Sequence, residues 1–128
     1  MRLQNRIAVV TGASRGIGRA IALAFAADGA HVAVVARSKS ALIELAALIA
    51  ASGRDGFPVA VDFGNAAEIP NVVSTILERF GRIDILVNNA AIIHPRIDLV
   101  DFDPALWRSV IDVNLTAPAL LTKAVLPS

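Results

Sequence analysis

Thr11-Gly12-Ala13-Ser14-Arg15-Gly16-Ile17-Gly18 decides how the chain folds, because of what stands on either side of it. Before it, Ile7-Ala8-Val9-Val10 is a short continuous apolar run, the pattern of a strand buried on both faces. After it, Ile17, Ile21, Ala24 and Phe25 fall at helical spacing, and Asp28-Gly29 closes that helix. The stretch is therefore a strand-to-helix turn. Gly12 suits the sharp exit from the strand, where positive φ is needed. A side chain at Gly16 would hold an anion away from the backbone, and Gly18 lets the helix lie close to the sheet. The first helical amides, with the positive end of the dipole behind them, then suit a pyrophosphate. In this strand–turn–helix setting the glycines read as a dinucleotide loop. No Gly-Lys-Ser/Thr follows them, which excludes a P-loop NTPase.

The same rhythm repeats along the chain. His31 to Ala36 reads as a second strand, and Leu42, Leu45, Ala46 and Ile49 mark one face of a helix ending at Ser52-Gly53. Phe57 to Val61 is a short third strand whose Pro58 is best tolerated at a sheet edge. Ile69, Val72, Val73, Ile76, Leu77 and Phe80 outline a third helix, with Asn65 as candidate cap and Glu68 three residues on. Ile83 to Val87 is the fourth strand. A last helix starts at Asp103-Pro104 and is expected to bend at Pro118, which lacks a donor in mid-helix. Right-handed crossovers then give an α/β, Rossmann-type doubly wound parallel sheet in the order 3-2-1-4, ending before a fifth strand. Residues 1–128 read as one dinucleotide-binding domain, with the ligand site outside the carboxyl ends of strands 1 and 4.

The end of the second strand selects the dinucleotide. A site for NAD usually has an acid there to hold the ribose 2′-hydroxyl. Here the sequence is Val35-Ala36-Arg37-Ser38-Lys39, and the next carboxylate, Glu44, lies well into the following helix. Arg37 suits a 2′-phosphate, Arg15 reaches the same point from the neighbouring loop, and Ser38 adds a hydroxyl. NADP(H) is the expected cofactor.

Composition removes other classes. The net charge of +1 offers no field for nucleic acid or an anionic membrane. Without cysteine there is no disulfide or thiolate metal site, which suits the cytoplasm, and His31 and His94 lack metal-pair spacing. No apolar run approaches a membrane span. The 55% hydrophobic content and mean hydropathy of +0.64 are high for 128 residues, as strands buried on both faces or a piece of a larger protein would require.

Thr11 to Gly18, Asp62, Asn88-Asn89-Ala90 and Asn114-Leu115-Thr116-Ala117-Pro118 together resemble the short-chain dehydrogenase/reductase signature, in order and at its spacing. The resemblance covers essentially the whole chain and is close in flavour to the β-ketoacyl-carrier-protein reductase branch and its many relatives. It implies that Asp62 bonds the adenine amino group, with Phe63 beside the ring. On its residues alone, Asp62 reads equally as a strand-ending turn. It implies further that Asn89 and Ala90 line the cofactor ribose, that Asn88 ties neighbouring strands, and that Asn114 has a supporting catalytic role, positioning a proton-relaying water. Asn114 also falls on the apolar face of Leu106, Val110, Ala117, Leu121 and Ala124, where a buried amide must find partners. Ala91 departs from the family, which usually has glycine there; the extra methyl is expected to weaken cofactor fit or shift the loop bearing Ile92, Ile93 and His94.

The catalytic serine, tyrosine and lysine of the family have no counterpart here: the chain has no tyrosine, and Lys123 and Ser128 fall too early in the fold. The expected function is the N-terminal, cofactor-binding part of an oxidoreductase moving hydride between nicotinamide and a carbonyl or secondary alcohol. The complete form is expected to be a homo-oligomer acting on a small molecule. Strand 4 is expected to be an exposed apolar edge. Two rivals remain: a non-catalytic NADP(H)-binding or interaction module, and a methyltransferase on the same sheet, against which Arg37 argues.

Overall fold

The computed structural model describes residues 1–128. The elements are β1 (Ile7–Thr11), α1 (Gly16–Ala27), β2 (His31–Ala36), α2 (Lys39–Ala51), β3 (Gly56–Ala60), α3 (Ile69–Phe80), β4 (Ile85–Val87), α4 (Pro104–Ile111) and α5 (Ala117–Val125). The four strands form one parallel sheet in the order β3-β2-β1-β4, as the sequence predicts. Successive side chains alternate between faces, so Val9, Ala33 and Val35 pack with α3 and α5. Val10, Val32 and Val34 pack on the other face with α1 and α2. Helices on both faces explain why β1 and β2 are apolar without alternation.

β3 runs Gly56–Ala60 and β4 only Ile85–Val87, one residue out of step and two residues shorter than the sequence suggests. Pro58 does lie on an edge strand. The Val61 N–H bonds the Ala36 carbonyl, so odd-numbered β3 amides face β2 and position 58 faces outward, where no donor is needed.

The fully buried face of α1 is made by its small residues, with Ile21 and Phe25 packed half-buried beside them. Ile17 is 73% exposed, and Ala24 is exposed as well. Gly18, Ala22 and Ala26 face the sheet instead. Close approach selects small residues here: a Cβ on Gly18 would stand 2.3 Å from the Gly12 carbonyl oxygen. The glycine closures of α1 and α2 are as expected, with Gly29 at φ 103° and Gly53 at φ 88°.

One helix start also differs. Asn65 accepts from the Ala67 amide, capping a 3-10 turn over Ala66–Glu68, and α3 begins after that turn with Pro70 in its first turn. At α4 the expected cap is present, Asp103 accepting from the Ala105 amide at 2.9 Å. The bend anticipated at Pro118 appears one turn earlier, as a π-helical stretch over Asp112–Thr116. Pro118 lacks the N–H that would bond the Asn114 carbonyl, and its ring crowds that carbonyl; the widened turn accommodates both. No helix is long and apolar enough to cross a membrane.

Candidate functional site: a cleft at the carboxyl ends of β1 and β4

The loops leaving β1, β2, β3 and β4 enclose an open cleft of about 1260 Å³. Gly12, Ser14, Arg15, Gly16 and Ile17 supply one wall. Gly12 and Gly16 have φ of 63° and 60°, the left-handed region that favours glycine. A Cβ on Gly16 meets nothing within 4 Å, so that side of the loop is open to a ligand. Gly18 does not line the cleft; it stands behind the loop and sets its distance from the sheet.

Two helix starts border the cleft, those of α1 and α2. Neither Arg15 before α1 nor Ser38 before α2 uses its side chain as a cap, and neither first turn carries an acid. Their orphan amides are left for another acceptor. By contrast α4, at the far rim, is capped by Asp103. The sequence gives a partial signal: Ser38 has a capping side chain, yet its hydroxyl lies 3.5 Å from the Ser40 hydroxyl and caps nothing.

Arg15, Arg37 and Ser38 all line this end of the cleft, and both arginines are exposed. Each carboxylate-bound arginine lies elsewhere: the ion pairs are Arg2–Asp28, Arg19–Glu44, Arg79–Asp55 and Arg82–Asp84. The two guanidiniums at the cleft therefore have no internal anion. Asp62 is the one carboxylate in the lining, and its Oδ1 accepts from the Gly64 amide at 2.9 Å. Phe63 borders the cleft but is only 5% exposed; most of its ring is spent on the core with Ile69 and Val72.

The opposite wall is Asn89, Ala90, Ala91 and Ile92. It is held by Thr11, the one buried polar residue, which the sequence reading gave no separate role. Thr11 Oγ1 accepts from the amides of Asn89 and Ala90, each at 2.9 Å, and donates to the Val87 carbonyl at 3.3 Å. A threonine closing a strand of valines looks like a strand former, and only the register with β4 shows its second use. Asn89 Nδ2 donates to the Gly12 carbonyl, so Asn89 joins the strand loops. Asn88 instead donates to Thr122 of α5 and does not tie strands.

Asn114 is exposed, not buried, but it has the partners it needs. Its Oδ1 accepts from the Ile92 amide and its Nδ2 donates to the Ile92 carbonyl, both at 2.8 Å. It sits in the π-helical stretch and clamps the loop beyond β4. Ser109 and Val113 on the same helical segment complete the rim and were not anticipated. Ala91 has no positive φ, so its methyl causes no backbone strain.

Residues 6–128 match the short chain dehydrogenase family. The chain is 45% identical over 128 residues to a 3-oxoacyl-[acyl-carrier-protein] reductase of Synechocystis, covering 96% of this chain and 50% of that protein. It overlays a metagenomic short-chain oxidoreductase solved in complex with NADP at a TM-score of 0.94 and 39% identity, over 99% of this chain and 57% of the other. A blue fluorescent protein from a metagenomic library, in complex with NADPH, gives a TM-score of 0.95 at 31% identity, over 100% of this chain and 53% of that one. The chain spans about half the length of the curated relatives it matches. A family match across nearly all 128 residues, on a sheet of the expected order, identifies the chain as a member of the short chain dehydrogenase family.

Proposed function

We propose that the chain is the NADP(H)-binding part of an oxidoreductase that moves hydride between a nicotinamide and a carbonyl or secondary alcohol. The observation that carries the cofactor choice is the pair of unpartnered guanidiniums, Arg15 and Arg37, with Ser38 beside them and no acid ending β2. A 2′-phosphate supplies the missing anion there. The uncapped start of α1 suits the pyrophosphate, with Gly16 leaving room for it. Asp62 and the edge of Phe63 would hold the adenine end, and Asn89 and Ala90 the ribose, with Ile17 facing the cofactor from the glycine-loop wall. Bound there, the cofactor supplies the hydride. Asn114 holds the Ile92 backbone at the rim and, in the whole enzyme, would position the proton-relaying water.

Several features of the whole protein follow the family resemblance: a small-molecule substrate, the serine, tyrosine and lysine outside these residues, and a homo-oligomer in the cytoplasm. The exposure of Trp107 (58%) and Leu115 (64%) on the last helical segment suits such an assembly. The alternative is a non-catalytic NADP(H)-binding or interaction module. It predicts binding without turnover.

The test compares dissociation constants for NADPH and NADH in the protein and in Arg37→Asp. NADPH binding should weaken about 50-fold through lost hydrogen bonds and added repulsion, and NADH only about 3-fold or less. Equal losses would sink the phosphate assignment. Binding of S-adenosylmethionine in preference to NADPH would point to the methyltransferase instead.

A further inference from the structure

The two walls of the cleft nearly touch at Gly12 and Ala90, where a Cβ on Gly12 would stand 2.9 Å from the Ala90 Cα. One residue beyond this pinch, on the β4 side, is Ala91, which lines the cleft and is exposed. On the other wall Gly16 presents bare backbone, and the next side chain, that of Ile17, is 73% exposed and free to change rotamer. Ala91 has no such freedom. Before it, the Ala90 amide donates to Thr11 Oγ1 at 2.9 Å and Asn89 Nδ2 donates to the Gly12 carbonyl at 3.2 Å. After it, the Asn114 side chain holds both the amide and the carbonyl of Ile92 at 2.8 Å. A single residue between two fastened neighbours cannot reposition its methyl without breaking a hydrogen bond.

We propose that Ala91 is a size gate for the nicotinamide half of the cofactor, an inference that rests on the dinucleotide reading above. The order of the sheet decides which half meets it. Strands in the order β3-β2-β1-β4 spread their loops across the cleft in the same succession. Asp62 and Phe63 follow β3, Arg37 and Ser38 follow β2, and the glycine loop follows β1. A dinucleotide with its adenine and 2′-phosphate at the β3 and β2 ends lays its pyrophosphate on the glycine loop. Its second nucleoside then arrives at the loop after β4, where Ala91 stands. The adenosine half does not reach this residue.

The methyl adds one carbon at a place where the backbone cannot give, so its effect on a ligand follows its volume. Ala91 is the rigid side of the gap and Ile17 the compliant side, and together they set how deeply the nicotinamide riboside enters. A residue that only shaped the loop would disturb both halves of the cofactor alike, because Thr11 and Asn89 join the β4 wall to the glycine loop. A gate disturbs one half and spares the other.

Calorimetric titration of the wild type, Ala91→Gly and Ala91→Val tests the gate with NADPH and with 2′,5′-ADP, which carries the adenosine end and lacks the nicotinamide. Affinity for 2′,5′-ADP should be the same in all of them, which also shows that each variant is folded. NADPH should bind about 5-fold more tightly to Ala91→Gly and about 10-fold more weakly to Ala91→Val, steps no larger than one methylene commands in a closed pocket, since this cleft is open. Equal shifts for both ligands, no shift for NADPH, or weaker NADPH binding in Ala91→Gly would each overturn the gate while leaving the dinucleotide reading in place. That reading fails separately, through a wild type that holds neither ligand, and the gate then falls with it.

Discussion

β1 is buried at all five positions and β2 at all but its first, whereas every residue of β4 is only half-buried. The two walls of the cleft stand on these unequal foundations. On the β1–β2 side, Gly18, Ala22 and Ala26 bring α1 against the sheet, so the glycine loop is held by close backbone packing. On the β4 side, three residues of strand are supplemented by named hydrogen bonds: Thr11 to Asn89 and Ala90, Asn88 to Thr122, and Asn114 to Ile92. One wall is shaped by the absence of side chains and the other by polar side chains in particular places. Packing tolerates no added volume, and hydrogen bonding tolerates no lost acceptor.

That contrast can be broken first on the packed side. Gly18→Ala places a methyl 2.3 Å from the Gly12 carbonyl oxygen and 2.5 Å from Asn89 Nδ2, contacts that neither wall can absorb without moving. We expect a loss of about 3 kcal/mol in urea denaturation, the largest effect of the set. Were the alanine variant as stable as the parent, the loop would not be set by close approach. On the bonded side, Thr11→Val keeps the volume and deletes the acceptor of two amides. A cost of about 2 kcal/mol is expected, because the Asn89 and Ala90 amides lose their partner. A neutral result would mean that water replaces the hydroxyl and that the β4 wall does not depend on it.

The same contrast explains which parts of the molecule were legible in the sequence. Strand order followed from the apolar runs of β1 and β2 and one glycine turn, because continuous burial leaves a continuous pattern. The cleft residues were legible for a related reason: loops at the carboxyl ends of parallel strands meet wherever the strand order reverses. Gly18, read as the point where the helix lies close to the sheet, stands behind the loop rather than in the cleft. The α1 face was legible in part: Ile21 and Phe25 do pack against the core, but Ile17 and Ala24 face solvent, because close approach selects Gly18 and Ala22 by smallness. Asn114 was correctly given partners but wrongly buried, since its partner is the backbone of a loop 22 residues away, invisible to helical spacing. The Thr11 junction joins residues 78 positions apart, and nothing local announces it.

The smallest expected effect lies where the two foundations are joined, just before β4. Asp84 Oδ2 accepts the first amide of β1, that of Ile7, at 2.9 Å, and the Ile7 carbonyl accepts the Asp84 amide at 2.8 Å. The Ile7 amide is the main reason the carboxyl titrates below its ordinary 3.8; burial works against it, and Arg82 and then Arg6 add to the lowering. A depressed folded value gives stability that is present in full above the unfolded value and is lost as pH falls through the folded one. Removing the charge in Asp84→Asn should therefore cost about 1 kcal/mol at pH 7, a modest figure because the side chain is 22% exposed and Arg82 is largely solvated. The parent should begin to lose its advantage from about pH 4 downward, and in urea melts the difference between the two proteins should vanish once the pH is below the lowered value of the folded carboxyl. A gap that persists at low pH would mean that shape rather than charge joins β4 to β1. The hydrogen-bonded account of that side would then have to be rebuilt on packing.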